Sequence, residues 1–213
     1  MDIASKIEHT VLKADTGNED VERICQEAKE NNFAGVCVPP YFVKKATTLL
    51  EKSDCLVVTV VGFPLGYSTT PAKVEETRKA IDEGADEIDM VINIAALKNK
   101  DYSYVENDIQ TITTLAHLRS KKVKVIIETA LLTQDEKLKA CEICAKIGVD
   151  FVKTSTGFAS SGAKVEDIEL LRKNLPEHIK LKASGGIKTK EQAEALVEAG
   201  ADRLGASSSL NLI

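Results

Sequence analysis

Val149-Asp150-Phe151-Val152-Lys153-Thr154-Ser155-Thr156-Gly157-Phe158 opens as a strand and ends as a small polar loop. Val149, Phe151 and Val152 are strand formers. Gly148, just before them, is suited to close a helix. The same joint recurs as Gly84-Ala85-Asp86 and Gly200-Ala201-Asp202, each time a helix-ending glycine ahead of a strand. The units return at about 25–35 residues, the size of a βαβ step.

Outward from that stretch the alternation holds along the chain. Strands are expected at 7–11, 33–38, 56–61, 87–93, 123–129, 179–184 and 203–205, all short apolar runs bounded by turn residues. Helix starts are expected at the capping boxes Thr16-x-x-Glu19, Thr133-x-x-Glu136 and Thr189-x-x-Gln192, and at Thr70-Pro71, with threonine as the cap and proline first in the helix. Tyr41–Glu51, a long segment with Val105, Ile109, Ile112 and Ala116 on one face, and Val165–Leu175 complete the helices. No Gly/Ser/Pro-rich linker divides the chain, so one domain over residues 1–213 is expected. Seven or eight such units leave two architectures, a (β/α)8 barrel or an open doubly wound sheet. There is no P-loop and no G-x-G-x-x-G, which weakens the nucleotide-binding form of the sheet.

The 213 residues are 43% hydrophobic and 29% charged, with net charge −5. That composition argues for a globular protein and against nonspecific nucleic-acid or membrane-surface binding. No run approaches a membrane span and the start lacks a signal-peptide core, so a cytoplasmic home is the expectation. The five cysteines are odd in number and scattered, which fits reduced thiols. Cys141 and Cys144 form a CxxC inside a predicted helix, where packing is favoured over redox or zinc chemistry.

In a barrel all strand ends converge on one rim. Lys153 ends one strand; Lys182 ends the next, followed by Ser184-Gly185-Gly186; Asp89 and Asn93 end a third. A buried ammonium must be paired, snorkelling or neutral, and a neutral lysine attacks carbonyls to form a Schiff base. A neighbouring Lys182 would depress the Lys153 pKa by like charge. The competing reading makes both lysines salt-bridge partners, Lys182 with Asp89. Period-two alternation puts Glu87, Asp89, Val91 and Asn93 on one face, so Asp89 is a candidate for proton transfer or for ion pairing. Gly185-Gly186 and Gly205-Ala206-Ser207-Ser208 follow the last two strands, where barrels often hold phosphate on backbone N–H groups.

These segments, DMVIN, FVKTSTGF, KASGGI and GASS with VGFPLG and ETALL between them, closely resemble the 2-deoxyribose-5-phosphate aldolase family of class I aldolases. The resemblance runs from about Ile7 to Ser208. It implies a (β/α)8 (TIM) barrel, Lys153 as the Schiff-base lysine, Lys182 as the group that lowers its pKa, and Asp89 in proton transfer. It also implies substrate contacts at Thr10, Cys37 and Thr154, and phosphate contacts at Gly157, Gly185, Gly186, Lys188, Gly205, Ser207 and Ser208. For Cys37 a small core side chain is an equal reading. No metal or cofactor is implied; the partner is a small phosphorylated sugar, and a homodimer is left open. Two departures stand out. Glu8 replaces an expected aspartate before His9-Thr10, and the chain ends at Ile213, so a truncated last helix without a tail tyrosine is expected. Another Schiff-base aldolase on the same barrel, or a noncatalytic phosphosugar-binding barrel, remains an alternative.

Overall fold

The computed structural model describes residues 2–213. Eight strands close into a parallel barrel in chain order. They are β1 (Ile7–Thr10), β2 (Gly35–Val38), β3 (Leu56–Val61), β4 (Glu87–Val91), β5 (Lys122–Ile126), β6 (Phe151–Lys153), β7 (Lys180–Ser184) and β8 (Arg203–Ala206). Outside them run α1 (Asn18–Glu30), α2 (Val43–Leu50), α3 (Thr70–Asp82), α4 (Ile94–Lys98), α5 (Tyr102–Leu118), α6 (Gln134–Ile147), α7 (Val165–Asn174) and α8 (Lys190–Glu198). The (β/α)8 expectation therefore holds, and the open sheet is excluded. After β8 the chain makes only a 3-10 turn, Ser209–Leu212.

The apolar core lies between strands and helices. Val21, Ile24, Cys25 and Ala28 of α1 are buried, as are Val105, Ile109, Ile112 and Ala116 of α5, in the helical spacing read from the sequence. Cys141 and Cys144 are buried on α6, and burial pushes the Cys141 thiol up to about 12, which suits packing rather than reactivity.

Local stops are largely as expected, with shifts of one residue. The boxes at Thr133/Glu136 and Thr189/Gln192 form. The first box does not. Gly17 caps α1 with Asp20 accepting from its N–H, while the Thr16 hydroxyl turns back to the Lys13 carbonyl. Thr69, not Thr70, takes the N-cap position of α3, without a side-chain cap bond, and the Thr70 hydroxyl donates to Asp108 on α5 at 2.8 Å. β4 ends before Asn93, whose side chain instead caps α4 by accepting from the Ala96 N–H.

Behind β4 a buried ion pair ties α3 and α5 to the barrel. Lys73 of α3 and Asp108 of α5, both fully buried, form a 2.5 Å ion pair, and the same ammonium donates to the Val91 carbonyl. An unpaired buried charge is far more costly than an absent pair. Asp108→Ala should therefore lower unfolding free energy by about 3–5 kcal/mol, while Lys73→Met with Asp108→Leu should cost much less. Urea denaturation of both variants checks this; equal losses would mean that packing volume, not charge, is what the pair provides.

Candidate active site

The barrel interior is charged where an apolar filling is common. Strand register accounts for it. Asp89 on β4 is paired in register with Lys124 on β5, and Lys153 on β6 with Lys182 on β7, which is in turn opposite Arg203 on β8. Alternation turns all of them inward. Asp89 is the hub: its Oδ2 accepts from Lys153 Nζ at 2.8 Å and Lys182 Nζ at 2.7 Å, and its Oδ1 from Lys124 at 2.9 Å. Below it, Lys182 also donates to Glu8. Lys124 stands 3.4 Å from Glu8 and 2.5 Å from Glu87, the latter a charge contact without hydrogen-bond alignment. Arg203 closes the network 3.4 Å from Glu8.

The formal charges decide which group is neutral. Three carboxylates (Glu8, Glu87, Asp89) face four cations (Lys124, Lys153, Lys182, Arg203). One cation is surplus once Arg203 is counted; its side chain is 18% exposed, so solvent screens part of that excess, and the rest bears on the buried lysines. Burial pushes Lys153 below the usual lysine range and the Lys182 charge adds to the push, while Asp89 opposes both. Burial acts on Lys182 too, but Asp89 and Glu8 outweigh it and hold the ammonium above its ordinary range. Burial works against the Asp89 carboxylate, yet Lys124, Lys153 and Lys182 hold it well below the usual carboxylate range. Lys153 is thus the cation the network releases most easily.

Above Lys153 a cavity of about 390 Å³ opens at the C-terminal mouth of the barrel. Thr10, Gly157, Gly185, Gly186, Lys188, Gly205, Ser207 and Ser208 all line it with Lys153. The N–H groups of Gly157, Gly185, Gly186, Ser207 and Ser208 make no hydrogen bond within the described residues. Gly185 and Gly186 are consecutive left-handed residues, at φ 84° and 74°, a backbone shape that gathers N–H groups around an anion. Lys13 and Lys188 add two ammonium groups, and no Asp or Glu lines the cavity.

Two expected residues, Cys37 and Thr154, sit off the cavity wall. Cys37 is fully buried on β2 in a cluster with Val58 and Val60, away from the cavity wall; burial pushes its thiol up to about 11. Thr154 is buried between β6 and β7, where its Oγ1 accepts from the Ser184 N–H, and it too is off the wall. Gly205 lines the cavity, but a Cβ there would stand 3.0 Å from Lys182 Cε, so its lack of a side chain makes room for that lysine. Glu8, where aspartate was expected, is a buried partner of Lys182.

Sequence reading missed Lys124, Arg203, Lys13 and Glu128. Alternation in Val123-Lys124-Val125 was signal enough to turn Lys124 inward; nothing local named Asp89 as its partner. Glu128 adopts φ 55° and ψ 68°, left-handed for a residue with a Cβ, a strain of about 1–3 kcal/mol. No sequence pattern announces that.

Residues 4–212 match the family model described as DeoC/LacD family aldolase. A "Deoxyribose-phosphate aldolase" of Thermococcus gammatolerans is 53% identical, with 100% of this chain and 96% of that protein covered. A crystal structure of a putative deoxyribose-phosphate aldolase from Coccidioides immitis superposes with TM-score 0.94 at 40% identity, covering 98% of this chain and 83% of that one. The deoxyribose phosphate aldolase of Aeropyrum pernix, described as a unique tetramer, gives 0.92 at 31% identity, covering 99% and 88%. Matched along almost its whole length in sequence and superposed in fold, the chain belongs to the DeoC/LacD aldolase family.

Proposed function

We infer that this protein is a class I aldolase that reversibly cleaves 2-deoxy-D-ribose 5-phosphate to D-glyceraldehyde 3-phosphate and acetaldehyde. The observation that carries the chemistry is Lys153, the surplus cation, on the floor of a cavity with an anion-ready rim. Full-length identity of 53% to a deoxyribose-phosphate aldolase supports the substrate.

Neutral Lys153 Nζ adds to C1 of the open-chain aldehyde, and loss of water gives an iminium. Asp89, ionised and 2.8 Å from Nζ, takes the C3 hydroxyl proton directly or through one water. The C2–C3 bond then breaks. Its electron pair moves into the iminium to give an enamine, and C3 leaves as the aldehyde of glyceraldehyde 3-phosphate. Protonation of the enamine at C2 and hydrolysis release acetaldehyde and regenerate the amine. Lys124 on Asp89 Oδ1 and Lys182 on Oδ2 keep that carboxylate ionised between steps. The free N–H groups of Gly157, Gly185, Gly186, Ser207 and Ser208, with Lys188 and Lys13, hold the 5-phosphate. Thr10 is read as a substrate contact on the cavity wall. Cys37 and Thr154 are read as shaping the walls from behind.

All 213 residues are read as one barrel domain. No helix among the described residues is long and apolar enough to cross a membrane, and a cytoplasmic location is proposed. Self-association is proposed on the likeness to a tetrameric relative, with the homodimer as its simplest form.

The test is acetaldehyde release from deoxyribose 5-phosphate, run beside free 2-deoxyribose. Wild type should prefer the phosphorylated sugar. Ser207→Asp, which puts a carboxylate on the rim, should raise KM for the phosphate ester on the order of 10–100-fold and leave free deoxyribose nearly unchanged. No acetaldehyde from either sugar would sink the activity; equal losses on both would sink the phosphate assignment.

A further inference from the structure

We propose that Glu128 is a positioning residue for the phosphate end of the cavity, where its buried carboxylate fixes the Thr156–Phe158 loop so that Gly157 presents that loop's one free N–H. The proposal rests on the reading of this rim as a phosphate site.

Beyond β5 the Ile127 N–H donates to the Lys153 carbonyl at 3.0 Å and the Thr129 N–H to the Thr154 carbonyl at 2.9 Å. In a regular parallel ladder, a step of two residues on one strand meets a step of two on its neighbour. Here 127 to 129 meets 153 to 154, so Glu128 is an extra, bulged residue. Its left-handed backbone and the bulge re-aim the side chain towards the loop after β6. Glu128 Oε2 accepts from the Thr156 N–H at 3.2 Å and from the Thr156 hydroxyl. Thr156 Oγ1 in turn accepts from the Phe158 N–H at 3.1 Å.

Donor accounting gives the consequence. Thr156 lines the cavity, but the single proton of its hydroxyl is committed to Glu128, so that hydroxyl cannot donate to a ligand. The N–H groups of Thr156 and Phe158 are committed as well. Gly157 lies between them at φ 87° with its N–H free. Glu128 is 2% exposed, no cation pairs with it among the described residues, and its Oε1 has no partner. An apolar residue would fill the place without that desolvation cost. What the carboxylate supplies is the shape of the loop.

Charge alone predicts the opposite sign. A carboxylate near an anion site repels the anion, so its neutralisation would improve phosphate binding. Loss of the loop's anchor would weaken it. The readout is the ratio of kcat/KM for deoxyribose 5-phosphate to that for free 2-deoxyribose. It should fall on the order of 10-fold in Glu128→Ala and in Thr156→Val, and less in Glu128→Gln, which keeps an acceptor oxygen. Both single variants break the bond from the Thr156 hydroxyl to Glu128, so the double variant Glu128→Ala/Thr156→Val should lose less than the product of the two single losses. An unchanged ratio, or a higher ratio in Glu128→Gln, overturns the proposal. If Glu128→Ala does not fold, Thr156→Val decides alone, because it keeps the loop's volume and removes only the hydroxyl. Ser207→Asp separates the two levels. If it too leaves the ratio unchanged, the phosphate reading falls; if it lowers the ratio while the Glu128 set does not, only the role of Glu128 falls.

Discussion

Lys153→Arg should lose turnover by roughly 10⁴-fold or more, the scale of removing a covalent nucleophile. Guanidinium stays protonated at any working pH and has no lone pair to offer an aldehyde. Borohydride added with deoxyribose 5-phosphate should reduce the iminium in wild type and leave a stable adduct on Lys153 in peptide mapping. No adduct should form in the variant. Charge balance adds a second expectation. Arginine fixes the surplus positive charge inside the barrel, whereas Lys153→Met leaves three cations facing three carboxylates. Lys153→Met should therefore be equally inactive but more stable than Lys153→Arg in denaturant titration. An adduct on Lys182, or active enzyme that never traps, would remove Lys153 from the nucleophile's role.

The second large effect comes from changing the charge count around Lys153 in opposite directions. Lys153 is competent when neutral, so kcat/KM should rise with pH through its pKa. In Lys182→Leu one cation is gone, and a protonated Lys153 restores the balance. Its pKa should rise, and the rising limb should move to higher pH. Activity at pH 7 should fall roughly tenfold for each pH step of one by which the limb moves, and recover in alkaline buffer. Lys182→Arg keeps the charge and should move the limb less. In Asp89→Asn the group that most raises the Lys153 pKa is removed, so the limb should move to lower pH. The plateau should nonetheless drop by about 10²–10⁴-fold, because the group that accepts the C3 proton is gone. The experiment is kcat/KM from pH 6 to 10 for the three variants. Limbs that move the same way, or not at all, would show that Lys182 and Asp89 act through geometry rather than charge. A near-normal plateau in Asp89→Asn would leave Asp89 an ion-pair partner only.

The stops and starts of the chain were legible in the sequence because they are local. Gly148 takes the left-handed cap that ends α6, and Thr133 with Glu136 satisfies N–H groups within one turn of each other. The helical faces of α1 and α5 follow from a spacing that a helix imposes on any sequence. At the one-residue errors, Thr16 and Thr70, the hydroxyl bonds elsewhere, for Thr70 to a partner thirty-eight residues away on α5. Lys153, Lys182 and Asp89 stand out in the sequence as charged residues in short apolar strands, though only Lys153 ends its strand; Asp89 and Lys182 lie mid-strand in β4 and β7. Alternation could turn Lys124 inward, but only closure of the barrel puts it in register with Asp89. The same closure brings Glu8 to Lys182 across 174 residues. Which lysine is surplus is a property of the whole ring of charges, because each pKa depends on partners from several strands. Glu128 lies furthest from the reach of sequence. Its role follows from a bulge and a left-handed backbone, and both arise because β5 and β6 are held by the rest of the barrel while the loop above them must still find its hydrogen bonds.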